Sequence, residues 1–160
     1  VVECGVRDVV SSYAFAYGLV DTPNNQYLMV DPKKSSQIEP FLNLCRANGI
    51  NASFVEQSDL DCPLVQTDLL FIDTWHSQKQ LREELHLHGN AARKYLAFHD
   101  THTYGVRDEQ TDWAANPNRK AMANQGLLPA IIEFVIKNPH WRFKMHKSNN
   151  NGLTVLERRD

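Results

Sequence analysis

TDLLFIDTWHSQKQLREELHLHGN, residues 67 to 90, joins an apolar run to an acid, an imidazole and then a helical pattern. The continuous run Leu69 to Ile72 suits a strand buried on both faces, which predicts a member of a parallel sheet rather than a half-wet hairpin strand. Beyond Asp73, Trp75 and His76, the stretch 77–90 sets Leu81, Leu85 and His88 at helical spacing. It predicts the crossover helix that a parallel sheet requires. An acid and an imidazole three residues apart therefore stand where a buried strand stops.

Working outward, the same alternation repeats. On the N-terminal side, Val1 to Cys4 reads as the inside of a strand, from which a segment ahead of residue 1 is expected. VSSYAFAYGL (10–19) follows as a helix whose Tyr13, Ala16, Tyr17 and Val20 recur on one face. QYLMVD (26–31) is a short buried strand, SQIEPFLNLCRANG (36–49) a helix with Gly49 as its stop, and NASFVE (51–56) a third strand. On the C-terminal side, RKYLAFHD (93–100) is a fifth strand ending in a second His-Asp pair. Thr101 to Gln125 reads as a polar excursion over a site, and LLPAIIEFVIKNP (127–139) as the last helix. WRFKMHK (141–147) and GLTVLERR (152–159) form two strands joined by the turn-rich SNNNG (148–152). The expectation is one three-layer α/β domain over residues 1–160, mostly parallel, with a C-terminal antiparallel hairpin.

Composition narrows the function classes. A formal charge of -2, with acids and bases mixed along 160 residues, gives no basic face for nucleic acid. No apolar run is long enough to span a bilayer. Cys4, Cys45 and Cys62 fit no zinc spacing and read as small core residues, and a reducing, cytoplasmic setting is expected. In open parallel sheets, ligands collect beyond the carboxyl ends of the strands. There lie Glu3 and Gly5, Asp31, Ser58 and Asp59, Asp73 and His76, and His99 and Asp100.

The order of these motifs resembles the class I S-adenosylmethionine-dependent methyltransferases, and more narrowly the branch of metal-dependent macrolide sugar O-methyltransferases and cephalosporin-hydroxylase-like proteins. The likeness runs along nearly the whole chain, through VVECGVRDVVSS, VDPKK, FIDTWH, FHDTHTYGV and GLTVLERR. It implies a Rossmann-like methyltransferase fold and S-adenosyl-L-methionine as cofactor. Glu3, Gly5, Asp31, Ser58 and Asp59 would line its cleft, with the acid after the second strand on the ribose hydroxyls. The family's second glycine falls on Val9, and a β-branched side chain resists the positive φ a glycine would supply there.

Neighbouring parallel strands lie about 4.8 Å apart, so Asp73 and Asp100 can aim into one site. Two carboxylates so close need a proton or a cation between them. Magnesium would suit the pair, leaving positions for substrate oxygens, and His76 could then take the proton of a substrate hydroxyl. The expected reaction is methyl transfer to a hydroxyl of a small molecule or sugar. The histidines leave the metal open, because imidazole prefers a transition metal while the resemblance favours magnesium. His99 is expected to face away from Asp100 by strand alternation, and residues 102–125 to form a lid. Simpler roles exist for each residue: Asp31 and Asp73 could cap helices, Trp75 could merely pack, and His86, His88, His140 and His146 read as surface or packing residues. Two other functions stay open, a non-catalytic binding domain of the same fold and a metal-dependent enzyme of another reaction type.

Overall fold

The computed structural model describes residues 1–109 and 124–159. Within them one sheet of seven strands runs in the order β3-β2-β1-β4-β5-β7-β6. Its strands are β1 (Val2–Cys4), β2 (Tyr27–Asp31), β3 (Ala52–Glu56), β4 (Thr67–Ile72), β5 (Ala92–His99), β6 (Trp141–Lys147) and β7 (Leu153–Arg158). β1 to β5 are parallel, while β7 enters antiparallel between β5 and β6. The strand order reverses between β1 and β4, which is where an open sheet of this kind forms a crevice. The three-layer α/β architecture is as expected.

Side-chain alternation distributes the sheet between two cores. Val2, Cys4, Leu70, Ile72, Leu96 and Phe98 point to the face covered by α3 (Gln78–His88) and α4 (Leu127–Lys137). Tyr27 and Met29 point to the other, covered by α1 (Val10–Leu19) and α2 (Ile38–Ala47). α2 buries Ile38, Phe41 and Cys45 and ends at Gly49, whose φ of 70° suits a residue without a Cβ. The three cysteines are free and buried.

α1 departs from its sequence pattern. Tyr13 and Tyr17 are 52% and 85% exposed, whereas Ser12 is buried. Glu3, on the short central β1, explains the rotation. Its carboxylate has no access to solvent and is met by the hydroxyls of Ser11 (2.5 Å), Ser12 (2.7 Å) and Tyr27. An unpaired carboxylate buried here would cost several kcal/mol, so the helix turns its serines inward and its tyrosines outward.

The lid expected over residues 102–125 falls largely outside the described residues. Its two flanks are fixed. Asp108, only 1% exposed, accepts N–H bonds from Gln78 (2.8 Å), Asn124 (2.9 Å) and Gly126 (2.9 Å). One carboxylate thereby ties both flanks to the start of α3. No helix among the described residues is long and apolar enough to cross a membrane.

Candidate active site at the ends of β4 and β5

β4 and β5 pair Ile72 with Phe98, so Asp73, just beyond β4, lies beside His99, the last residue of β5. Ser77 caps α3 by accepting from the Gln80 N–H at 3.2 Å, which places His76 in the turn between strand and helix. The His76 ring points back over the strand ends. Its Nε2 lies 3.2 Å from Asp73 Oδ1 and 3.0 Å from Asp100 Oδ2. Its Nδ1 lies 2.8 Å from Glu109 Oε2, and Tyr104 stacks on it with ring centroids 4.8 Å apart. Asp73 and Asp100 share one site, as their positions predicted.

His99 joins this cluster instead of facing away. Its Nδ1 is 3.0 Å from Asp100 Oδ1 and 3.5 Å from Asp73 Oδ2. Alternation fails because the strand has ended: Asp100 takes a left-handed conformation, φ 58°, which turns its side chain to the same side as that of His99. His102 contributes only its backbone, donating to the Asn151 carbonyl at 2.9 Å, and its side chain is exposed. Of the remaining histidines, His88 is buried and bonded to the Asp59 carbonyl at 2.8 Å, a packing role.

Charge in the cluster is balanced by the imidazoles. Burial pushes the Asp73 carboxyl up, but hydrogen bonds from His76 and His99 outweigh it and hold it down at about 2. Burial pushes His76 down, and the surrounding carboxylates of Asp73, Asp100 and Glu109 reverse this and raise it. The carboxylates of Asp100 and Asp73 lift His99 to about 10. Even so, Asp100 Oδ1 is buried without an aligned hydrogen bond among the described residues, and so is the indole N–H of Trp75.

One ligand atom each from Asp73, His76 and Asp100 lies within 4.8 Å of the others, close enough for one cation. A carboxylate oxygen with no aligned hydrogen bond among the described residues, although His99 Nδ1 stands 3.0 Å away, fits that role. The two carboxylates alone would suit the magnesium expected from the resemblance, whereas the set with the imidazole nitrogen as a third ligand fits manganese, iron or zinc better.

The proposed cofactor residues divide. Gly5 (φ 85°), Arg7 (φ 46°) and Val9 (φ 57°) give the first strand-to-helix loop successive left-handed turns. Val9 thus adopts the conformation it was expected to resist, with its side chain held in the core at 2% exposure. α1 starts without a side-chain cap or an acid in its first turn, leaving backbone donors open to an anionic group. Asp31 Oδ2 accepts from Val6 N–H (2.8 Å) and Arg7 N–H (3.1 Å), while Oδ1 accepts from Lys33 N–H (2.8 Å) and keeps acceptor capacity. Ser58 is half-buried and starts the turn after β3, its Oγ accepting from the Leu60 N–H at 3.3 Å. These features fit a nucleoside cofactor. Glu3 and Asp59 do not present themselves to it: Glu3 is enclosed by Ser11, Ser12 and Tyr27, and Asp59 is buried against Glu84. At Gly5 a Cβ would lie 2.0 Å from the Asp73 carbonyl oxygen, so the missing side chain admits the β4 backbone rather than a ligand.

Sequence reasoning did not single out Glu109, Tyr104 or Glu84. The first two fall in a polar stretch without periodicity. Glu84 sits one position before Leu85 in a helix whose apolar spacing drew the eye instead.

No family model and no curated protein matches the chain. Solved structures do. An O-methyltransferase family 2 protein from Planctomyces limnophilus, solved with apigenin, aligns at 10% identity with a TM-score of 0.57, covering 99% of this chain and 49% of its own. An O-methyltransferase family protein from Burkholderia thailandensis aligns at 13% identity and a TM-score of 0.62, over 99% and 50% of the two chains. Magnesium protoporphyrin IX methyltransferase from Synechocystis, solved with bound SAH, aligns at 11% identity and a TM-score of 0.60, over 99% and 73%. The chain spans about half the length of the first two. At such identities the likeness establishes the fold: this chain has the Rossmann-like architecture seen in S-adenosylmethionine-dependent methyltransferases.

Proposed function

We propose that this chain is a methyltransferase domain that uses S-adenosylmethionine to methylate a hydroxyl of a small molecule, with a divalent cation held by Asp73 and Asp100. The observation that carries the reading is the convergence of His76 Nε2 on both carboxylates, at 3.2 and 3.0 Å, beside the β1–α1 loop of a methyltransferase-like sheet. Bound over that loop, the cofactor supplies an electrophilic methyl group. A cation at the two acids would make a nearby hydroxyl more acidic.

The chain's own residues supply the rest. Asp31 and the open N–H groups of α1 orient the cofactor, and Asp73 and Asp100 set where the acceptor oxygen lies. Once those two acids are engaged elsewhere, His76 loses much of what keeps it protonated, and Nε2 becomes the acceptor of the hydroxyl proton. Tyr104 keeps the ring flat above the strand ends. Trp75, whose indole N–H has no partner among the described residues, would wall the acceptor pocket.

Isothermal titration with S-adenosylhomocysteine tests the reading, and binding to the folded chain is the expected result. No heat at high micromolar ligand would remove methyl transfer. A second reading, metal-dependent chemistry without a methyl donor, is favoured by the arrival of His99 Nδ1 at the same carboxylates. Stoichiometric iron or zinc in protein purified without chelator, together with no response to S-adenosylhomocysteine, would select it.

A further inference from the structure

We propose that Glu109 is the positioning residue of His76 and decides which ring nitrogen faces the reacting hydroxyl; this rests on the reading of His76 as the proton acceptor. The two nitrogens of an imidazole do different work, and the bond made by one sets the role of the other. Here Nδ1 meets Glu109 Oε2 at 2.8 Å, and Nε2 faces Asp73 and Asp100.

The other neighbours do not hold this choice once a cation occupies the two acids. Tyr104 is parallel to the ring within 8°, and a flat face is indifferent to a half-turn of the imidazole about its bond to Cβ. Such a turn exchanges each nitrogen for a carbon. Asp73 and Asp100 favour the observed orientation while their oxygens face Nε2, but with those oxygens engaged by a cation they no longer hold it. Glu109 breaks the tie, because a flipped ring would set a carbon against its carboxylate and leave a side chain only 13% exposed without that bond.

Glu109 reaches His76 across 33 residues because the backbone delivers it. Its own N–H donates to the His76 carbonyl at 2.8 Å. The preceding residue, Asp108, is locked by the N–H groups of Gln78, Asn124 and Gly126. The main chain at 108–109 is therefore held by the Asp108 carboxylate and the Glu109 N–H, contacts that a Glu109 variant keeps.

The test uses protein labelled with ¹⁵N at histidine, with the His76 ring signals assigned by their loss in His76→Gln. The wild type should show an Nδ1–H cross-peak protected from solvent exchange and shifted downfield by its carboxylate acceptor. Glu109→Ala should lose that peak, and Glu109→Gln, which keeps an acceptor oxygen, should retain it with a smaller downfield shift. The backbone amide spectrum reports that each variant is folded. An unchanged peak in Glu109→Ala, or no Nδ1–H peak in the wild type, overturns the assignment. Titration with S-adenosylhomocysteine is scored separately: failure to bind with the Nδ1 signature intact removes methyl transfer and leaves the positioning role standing.

Discussion

His99 and Asp100 are consecutive, yet their side chains meet, with Nδ1 of one 3.0 Å from Oδ1 of the other. The left-handed backbone at Asp100 makes this possible. Held near carboxylates, the His99 ring binds its proton more tightly folded than unfolded, with a folded value of about 10 against 6.5. Its contribution is complete below pH 6.5 and is lost as pH rises toward 10. Melting temperatures of the wild type should fall over that window, and His99→Ala should show a flatter profile. Parallel profiles for the two proteins would refute the linkage.

Glu84 predicts the opposite of a stabilising ion. Burial, then the neighbouring Asp59 carboxylate, pushes its carboxyl well above the usual range. Such an acid stabilises the fold while protonated and loses that contribution as pH rises above the ordinary carboxyl range. In Glu84→Gln the oxygen can still accept from Gln80 (2.8 Å in the wild type) and Thr74, and the new amide can donate to Asp59. The variant should be more stable than wild type at neutral pH by about 1 kcal/mol or more, the order of the cost of burying an incompletely paired polar group. Urea denaturation at pH 7.5 and at pH 5 should show the gain shrinking at the lower pH.

Gly5 joins β1 to the start of the site. A side chain there would meet the Asp73 carbonyl at 2.0 Å while holding a φ of 85°. Gly5→Ala should cost roughly 3 kcal/mol or more, from backbone strain plus displacement of a packed strand end. Denaturation checks the figure, and a loss under 1 kcal/mol would mean that the β1 and β4 ends are softer than drawn.

His76→Ala is expected to abolish methyl transfer and leave affinity for S-adenosylhomocysteine nearly unchanged, since its contacts are to Asp73, Asp100, Glu109 and Tyr104 rather than to the β1–α1 loop. Transfer retained in this variant would take His76 out of the chemistry.

How much of this was legible in the sequence depends on the distance each feature spans. Strand-helix alternation and the final hairpin follow from local periodicity, and Asp73 with Asp100 follows from the pairing of adjacent strands. The face of α1 was not legible, because the apolar spacing of Tyr13 and Tyr17 was overruled by Glu3, which draws Ser11 and Ser12 inward from another element. The direction of His99 depended on one backbone angle at the next residue. Val9 was legible as a departure but not in its outcome, since packing with the core holds it in a left-handed turn. Glu109 lies in a charged, aperiodic stretch and acts across a fold-dependent contact, a relationship that spacing cannot carry.

Asp108, on the N-terminal flank of residues 110–123, binds the amides of Asn124 and Gly126 on the C-terminal flank and that of Gln78 in α3, so three separate segments meet at one carboxylate. Neutralising that one side chain would release both flanks and the start of α3 together, and with them the backbone that sets Glu109 against His76.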